Sequence, residues 1–160
     1  MPKCYQLIGV PGSGKSTWIK NQKWANGMPV VSTDNFVEAY AKEQGKTYSE
    51  VFDDFMPKAV KLMANQALIC QANNLDLIWD QTSTTVKSRI RKFNTLPKYE
   101  HVAVVFETPP EDVLNTRLAS RPGKNIPKHV MNQMISGFEM PTLDEGFTEI
   151  IHVPYEVSST

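Results

Sequence analysis

The stretch Gly9–Thr17, with the sequence GVPGSGKST, decides the fold of this chain. It contains the full pattern GxxxxGK[ST], and the apolar run Cys4–Ile8 stands directly before it. Glycines let the backbone turn so that successive N–H groups point inward at an anion, and the N-terminus of a following helix adds partial positive charge. We therefore predict a strand, a phosphate-binding loop and a helix over residues 15–23.

Two side chains of this loop extend the prediction from a phosphate to a nucleotide. Lys15 can reach the β- and γ-phosphates as a point charge, and the Ser16 hydroxyl can ligate Mg²⁺. The motif therefore predicts binding of a nucleoside triphosphate together with Mg²⁺, and it leaves open whether the chain is a kinase, an ATPase or a GTPase. The predicted nucleotide-binding residues of the loop are Gly9, Pro11, Gly12, Ser13, Gly14, Lys15, Ser16 and Thr17.

Strands and helices alternate along the rest of the chain. Apolar runs predict strands at 29–32, 75–79, 101–106 and 149–153, and helical spacing predicts helices at 34–44, 48–73, 85–94, 110–119 and 128–138. Pro57 could kink the longest helix or divide it in two. The alternation predicts an α/β P-loop NTPase three-layer sandwich, a parallel sheet with helices on both faces and a small lid at 120–127. No repeat or shift in composition divides the chain, so we expect a single P-loop kinase domain over 1–160.

The charge balance limits how the chain can contact nucleic acid. Its 160 residues carry 17 basic and 17 acidic side chains, which gives a formal net charge of zero. Proteins that bind DNA non-specifically are usually basic overall. Any contact with nucleic acid is therefore expected to come from a local patch.

The sequence carries no pattern of export or membrane insertion. Its apolar runs fall short of the roughly 18 residues of a membrane span. The N-terminal apolar stretch leads into the glycine-rich loop and lacks the shape of a signal peptide. Cys4 and Cys70 lie in apolar stretches outside any CxxC pair, which predicts buried free thiols. We expect a cytoplasmic protein with no membrane partner.

Two aspartates follow predicted strands. Asp34 comes after the second strand and Asp80 ends the third. Because ligands of such sheets bind at the carboxyl ends of the strands, both should lie near the glycine-rich loop. Asp34 could accept the proton of an acceptor hydroxyl as a general base, or it could cap the following helix. Asp80 could support Mg²⁺ through a water, bind the acceptor, or cap the following turn.

Two arginines stand at the entrance to the polar loop SRPGKNIP. Arg117 and Arg121 are one helical turn apart. Arginine donors can stabilise the negative charge that develops on the γ-phosphate, and a closing loop can exclude water. The alternative is a solvated helix face, and Lys124 in the same loop is a weaker candidate. The residues predicted to carry catalysis are Lys15, Asp34 and Arg121, those to bind ATP outside the loop are Arg117 and Arg121, and those to hold the metal are Ser16 and Asp80.

Basic and aromatic side chains could contact a nucleic-acid acceptor. The helix at 85–94 favours a solvated basic face, with contact to an acceptor phosphate backbone as the alternative; its basic residues are Lys87, Arg89, Arg91 and Lys92. Aromatic residues at helical spacing are expected to lie mostly in the core, although one or two could stack on an acceptor base; they are Phe36, Tyr40, Tyr48, Phe52 and Phe55.

Four segments resemble a known family in order and spacing. GVPGSGKSTW, STDNF, IWDQT and RLASRPGKNIP are similar to the kinase domain of phage-type polynucleotide 5′-hydroxyl kinases. The resemblance implies an adenylate-kinase-like fold, ATP and Mg²⁺ as cofactors and a nucleic-acid acceptor. It also implies that Lys15 and Ser16 hold the phosphates and the metal, that Asp34 is the general base, that Asp80 supports the acceptor site, and that Arg117 and Arg121 clamp ATP.

One position departs from the family pattern. The family carries an arginine three residues after the base, where it grips a phosphate of the acceptor strand, and this chain has Val37. The acceptor therefore stays open between a polynucleotide 5′-hydroxyl, a hydroxymethyl group on a modified base within DNA such as 5-hydroxymethyluracil, and a small molecule or nucleoside. A non-catalytic NTP-binding switch or an ATPase module is disfavoured, because neither needs Asp34 together with the two arginines.

Overall fold

The computed structural model describes residues 1–156 and is built on a five-stranded sheet. All neighbouring strands pair in parallel, in the order β2-β3-β1-β4-β5. The predicted parallel α/β sheet is confirmed, although the second and third strands are shorter than predicted. The strands are β1 (Lys3–Ile8), β2 (Val30–Val31), β3 (Leu77–Asp80), β4 (Glu100–Phe106) and β5 (Glu149–Val153).

Within residues 1–156, six α-helices connect and flank the strands. They are α1 (Lys15–Asn21), α2 (Thr33–Gln44), α3 (Tyr48–Ala72), α4 (Val86–Thr95), α5 (Glu111–Ala119) and α6 (Lys128–Ser136). Helix α3 is continuous through Pro57, so of the two alternatives for this proline, the division of the helix is wrong. Pro57 and Asp53, whose carbonyl loses its helical partner, both lie on the exposed side of the helix. Water can therefore satisfy that carbonyl, which lowers the cost of the proline.

Apolar side chains cover both faces of the sheet, which confirms the predicted three layers. On one face, strand residues such as Cys4 and Leu77 pack with Met63 and Cys70 of α3. On the other face, a cluster around Leu7 packs against residues of α1. Both cysteines are buried and free, as predicted. Successive strand residues point to opposite faces, so the buried strands are apolar at most positions on both faces. The buried polar exceptions Gln6 and His101 form a 3.0 Å hydrogen bond with each other.

The last described residues, 154–156, lie near the glycine-rich loop. Residues 154–156 follow β5 without helix or strand, and the carbonyl of Glu156 accepts a hydrogen bond of 2.8 Å from Arg117 Nη2. Residues 157–160 lie outside the described residues. Within residues 1–156, no helix has the length and apolar character needed to cross a membrane.

Candidate active site

The predicted site residues lie together at the carboxyl ends of the strands. Leu7 pairs with Asp80 in the β1–β3 ladder, so Asp80 lies beside the start of the loop. The Gly9 N–H donates a 2.9 Å hydrogen bond to the Thr82 carbonyl, which joins the loop to the segment after β3. Asp34 lies in the first turn of α2, directly after β2. The topology therefore brings the two carboxylates and the loop to the same edge of the sheet.

The loop backbone has the shape of a phosphate cradle. Gly12 and Gly14 have φ angles of 84° and 100°, a region that favours glycine. A Cβ at Gly9 would lie 2.6 Å from Ser13 Oγ and 2.9 Å from Phe106 Cβ, so a side chain does not fit there. No side chain caps α1, whose N-cap is Gly14, and the buried Ser13 hydroxyl has no partner among the described residues. The first turn of α1 and this hydroxyl can therefore bind an anion.

Lys15 points back into the loop. Its Nζ donates hydrogen bonds to the carbonyls of Gly9 at 2.7 Å and Val10 at 3.2 Å. Burial lowers the pKa of Lys15 to about 8, while the carboxylates of Asp80 and Asp34 oppose that shift. A bound phosphate would supply further negative charge to offset the positive charge of the Lys15 ammonium group. The residues present therefore fit ATP.

Oxygen donors for a hard cation are also present. Ser16 lies exposed at the start of α1, and Asp80 is half-buried at the end of β3. Burial raises the pKa of Asp80, with Lys15 opposing and Asp34 adding to the shift. No cluster of three or more His, Cys, Asp or Glu side chains suited to a metal occurs in the described part of the chain. Mg²⁺ commonly binds through one or two protein oxygens together with substrate phosphates, and the Ser16 and Asp80 pair fits that mode.

Asp34 is not the cap of its helix. Ser32 is the N-cap of α2, and its Oγ accepts a 3.3 Å hydrogen bond from Asn35 N. The capping interpretation of Asp34 is therefore wrong, and its carboxylate is exposed. Its Oδ1 accepts a 2.5 Å hydrogen bond from the Tyr48 hydroxyl. One carboxylate oxygen is thus held in place while the other stays available for chemistry.

The two arginines differ in their contacts. Arg117 is within α5 and donates from Nη1 to the Gly12 carbonyl at 3.0 Å and from Nη2 to Glu156. Arg121 lies just after α5, and its buried Nε has no acceptor among the described residues. The positive charge of Arg121 contributes to the lowered pKa of Lys15. Arg117 therefore braces the loop backbone, whereas Arg121 keeps its Nε without an acceptor among the described residues and acts on Lys15 through its charge.

The predicted lid loop, residues 120–127, docks on the start of α3. Ser49 N donates to the Gly123 carbonyl at 3.0 Å, and Asn125 N donates to Ser49 Oγ at 2.9 Å. Lys124 Nζ lies 4.7 Å from the centroid of the Tyr48 ring and forms an ion pair with Glu38. The lid loop thus contacts both α2 and α3 in this conformation.

The solvated-face interpretation of the basic helix is wrong for two of its four residues. Arg89 is fully buried, and its Nε and Nη2 donate to the Glu145 carboxylate at 2.8 and 3.2 Å. Lys92 is also buried, with Nζ 3.2 Å from the Ser88 carbonyl and 5.5 Å from the Trp79 ring centroid. Arg89 therefore cannot contact an acceptor, and of the four only Lys87 and Arg91 are exposed.

The aromatic residues of α2 and α3 are less buried than predicted. Phe52 is exposed, and the others are half-buried where the two helices pack. Tyr48 was predicted to be a core residue or a base-stacking residue, and its hydroxyl instead contacts Asp34. The capping box of Thr47 and Glu50 marks the start of α3 in the sequence. That signal locates Tyr48 in the first turn, but it does not show which residue of α2 lies opposite.

Two clefts lie on opposite sides of the loop, because β1 stands between β3 and β4 in the sheet. One, of about 340 Å³, is at the carboxyl ends of β4 and β5 and is lined mainly by Phe106, Phe138, Met140, Val153 and Pro154, with Glu107, Thr108 and His152. The other, of about 470 Å³, lies between α2 and the lid loop and is lined by Glu38, Lys42, Lys46, Tyr48 and Lys124, among others. We call the second one the lysine groove.

Fold and site together define a P-loop kinase, an ATP-dependent phosphotransferase. A phosphate cradle with a lysine, a carboxylate beside it and an arginine on a docking loop is what transfer of a γ-phosphoryl group requires. The profile of a family described as an AAA domain matches residues 6–141, and the chain belongs to this family.

Individual relatives have different acceptors in their names. The chain is 26% identical over 155 residues to a bifunctional polynucleotide phosphatase/kinase of Schizosaccharomyces pombe, covering 94% of this chain and 33% of that protein. A chain of the Pnkp1/Rnl/Hen1 RNA repair complex matches 85% of this chain and 43% of its own length, at 24% identity and a TM-score of 0.63. A gluconokinase from Sinorhizobium meliloti 1021 matches 98% of this chain and 85% of its own, at 18% identity and a TM-score of 0.55. Similarity to these two solved structures bears on the fold alone.

Proposed function

We propose that the protein transfers the γ-phosphate of ATP to a hydroxyl of a nucleic acid, with the 5′-hydroxyl of a polynucleotide as the leading acceptor. The observation that carries a transfer to a hydroxyl is Asp34, an exposed carboxylate that is free of helix capping and acts electrostatically on Lys15. The choice of a nucleic acid is supported by the similarity to the polynucleotide phosphatase/kinase, of which this chain spans only a third of the length.

Asp34, Lys15 and Arg121 have different roles in the proposed reaction. Asp34 accepts the proton of the acceptor hydroxyl, whose oxygen forms a bond to the γ-phosphorus while the bond from phosphorus to the bridging β–γ oxygen breaks and ADP leaves. Lys15 and Arg121 offset the negative charge on the transferred group. Mg²⁺, when bound at Ser16 and Asp80, would add charge neutralisation at the phosphates.

The strand order suggests how the nucleotide is oriented. The cleft at the ends of β4 and β5 is mainly apolar, which suits a nucleobase. Asp34 and Asp80 follow β2 and β3, on the other side of the loop. We therefore orient ATP with its base towards β4 and β5 and its γ-phosphate towards Asp34, so that the acceptor approaches from the α2 side.

The lysine groove is our candidate for the acceptor strand. Val37 is fully buried between α2 and α3, so this position contributes to helix packing and not to acceptor binding. Basic groups on the α2 side of Asp34 come instead from Lys42, Lys46 and Lys124, which line the groove beside Tyr48. Lysines bind phosphates as point charges, which would make acceptor binding sensitive to salt.

A second acceptor class is favoured by the same valine. Without an arginine at position 37, the chain lacks the grip that selects a strand end in the family it resembles. A hydroxymethyl group within DNA, such as that of 5-hydroxymethyluracil, or a nucleoside would not need that grip. These acceptors are therefore tested beside the 5′-hydroxyl.

The deciding experiment is a transfer assay with ATP labelled at the γ-phosphate. The acceptors offered are a 5′-hydroxyl oligonucleotide, the same oligonucleotide already 5′-phosphorylated, DNA containing 5-hydroxymethyluracil, nucleosides and water alone. We expect label on the 5′-hydroxyl oligonucleotide, none on its phosphorylated control, and a loss of roughly 10²–10⁴-fold in Asp34→Asn with ATP binding retained. Label on modified DNA or nucleosides, with none on the plain oligonucleotide, would reject the leading acceptor. Release of phosphate to water alone would reject the kinase assignment to a hydroxyl acceptor.

A further inference from the structure

Tyr48 contacts the proposed base and the lid loop at the same time. Its hydroxyl donates a 2.5 Å hydrogen bond to Asp34 Oδ1, and Lys124 of the lid loop lies over its ring. We propose that Tyr48 is a positioning residue that orients Asp34 for transfer and joins this orientation to the docking of the lid loop. The inference rests on the proposed role of Asp34 as the base.

The hydrogen bond restricts a side chain that would otherwise be mobile. Asp34 is exposed on the first turn of α2, where an unrestrained carboxylate would sample several rotamers. With Oδ1 held by the phenol, Oδ2 is the oxygen left to accept the proton of an acceptor hydroxyl. Such alignment matters because a displacement of about 1 Å in an active site can cost on the order of 10² in rate.

The phenol remains a donor over the working pH range. Burial is the largest cause that raises the pKa of Tyr48 well above its ordinary value, and the hydrogen bond to Asp34 and the negative charges of Asp34 and Glu38 add to it. Arg121 acts in the opposite direction. The hydroxyl therefore keeps its proton while the facing carboxylate accepts it.

The same helical turn anchors the lid loop. Ser49, the next residue, donates its N–H to the Gly123 carbonyl and accepts at Oγ from the Asn125 N–H. A Cβ at Gly123 would lie 2.9 Å from Thr47 Cβ, so the loop packs closely on this turn. Since Arg121 is carried by the start of the same loop, undocking of the loop would move Arg121 and loosen the surroundings of Tyr48 together.

Tyr48→Phe tests the positioning role, because it removes the hydroxyl and keeps the ring under Lys124. We expect kcat to fall by about tenfold to a hundredfold, with the KM for ATP unchanged, since the phenol touches the base and not the phosphate cradle. Tyr40→Phe is the matched control, because Tyr40 lies in the same α2–α3 contact and stacks on Phe55 through its ring at 4.1 Å. A wild-type kcat in Tyr48→Phe, or an equal loss in both variants, would overturn the inference.

A measurement that needs no acceptor separates this inference from the proposed function. Tyrosines labelled with ¹³C at Cζ are followed by NMR as the pH rises, and Tyr48→Phe assigns the signal. Tyr48 should stay protonated where ordinary tyrosines ionise, near about pH 10, and Asp34→Asn should make it ionise at lower pH. Ionisation of Tyr48 together with the other tyrosines, or no response to Asp34→Asn, would show that the pair does not form. Failure of the wild type to label any acceptor would reject the proposed function. The NMR titration would still test the Tyr48–Asp34 pair, because it needs no acceptor.

Discussion

The glycine-rich loop and helix α4 each hold a lysine whose amine is largely withdrawn from solvent, and the two lysines have different surroundings. Burial lowers the pKa of both Lys15 and Lys92 to about 8. Lys15 lies in a loop shaped for an anion, with Asp34 and Asp80 nearby. Lys92 lies against Trp79, and among residues 1–156 its one acceptor is the Ser88 carbonyl. A buried positive charge is costly unless it is paired, so the first lysine gains from a bound phosphate and the second has no such ligand. Burial of a charge therefore indicates a functional site only where the backbone around it can bind the missing partner.

The largest expected effect is on the rate of transfer, and it distinguishes Lys15 from Lys92. Lys15→Met should lower transfer by on the order of 10²–10³-fold, because one donor to the developing charge is lost, while the fold is retained. Lys92→Met is the matched control and should transfer at close to the wild-type rate. Transfer rates and circular-dichroism melts of both variants provide the measurement. A folded Lys15→Met protein that keeps more than about a tenth of the wild-type rate would contradict the assignment.

The buried Arg89 and the exposed Arg91 should differ in their contributions to stability. Arg89→Ala should lower the free energy of unfolding by about 3–5 kcal/mol, because it leaves the Glu145 carboxylate and the Ser83 carbonyl without their buried partner. The exposed Arg91→Ala should stay within about 0.5 kcal/mol. Urea denaturation measures both, and transfer by folded Arg89→Ala protein at low temperature should be nearly normal. Equal stability of the two variants would mean that the pair with Glu145 contributes little.

Arg121 and Arg117, the two arginines beside the glycine-rich loop, should affect different properties of the enzyme. Arg121→Ala should lower the transfer rate by roughly 10²-fold with little change in melting temperature, because its charge acts on Lys15 and its buried Nε has no acceptor among the described residues. Arg117→Ala should weaken ATP binding and lower the melting temperature, since it removes the brace on the Gly12 carbonyl. Transfer rates, ATP affinity and thermal melts distinguish the two. A normal rate in Arg121→Ala would show that the lid loop does not act on the γ-phosphate.

The smallest effect concerns the pH dependence of Lys92. Its folded pKa of about 8 lies below the ordinary lysine value of 10.5, so the contribution of Lys92 to stability should become more favourable as the pH rises between these values, where this side chain holds more protons in the unfolded chain. Lys92→Met should therefore be more stable than wild type by on the order of 1–3 kcal/mol below pH 8, and this advantage should shrink towards pH 10.5. Melts at pH 7 and at higher pH measure it. An advantage that does not change with pH would exclude the charge as its cause.

Local patterns in the sequence were sufficient for most of the fold. The phosphate loop, the strand before it and the helix after it follow from a single motif, and the remaining strands and helices lie within a few residues of their predicted positions. Spacing of apolar residues reports which backbone is buried, and glycine and capping residues report where it turns. The proposed roles of Lys15, Asp34 and Arg121 also came from local position and remain predictions.

Partners that lie far apart in the chain were decided by tertiary structure. Arg89 and Glu145 are 56 residues apart, and no local pattern separates a buried pair from two solvated charges. Tyr48 reaches Asp34 because α3 packs against α2 in one particular rotation, and the same packing buries Val37. The sequence by itself determined a phosphate cradle on a parallel sheet, because backbone conformation and burial are local properties. The tertiary structure decided which charged and polar groups come into contact. These contacts depend on helix rotation and strand order, and both are set by the packing of the whole core.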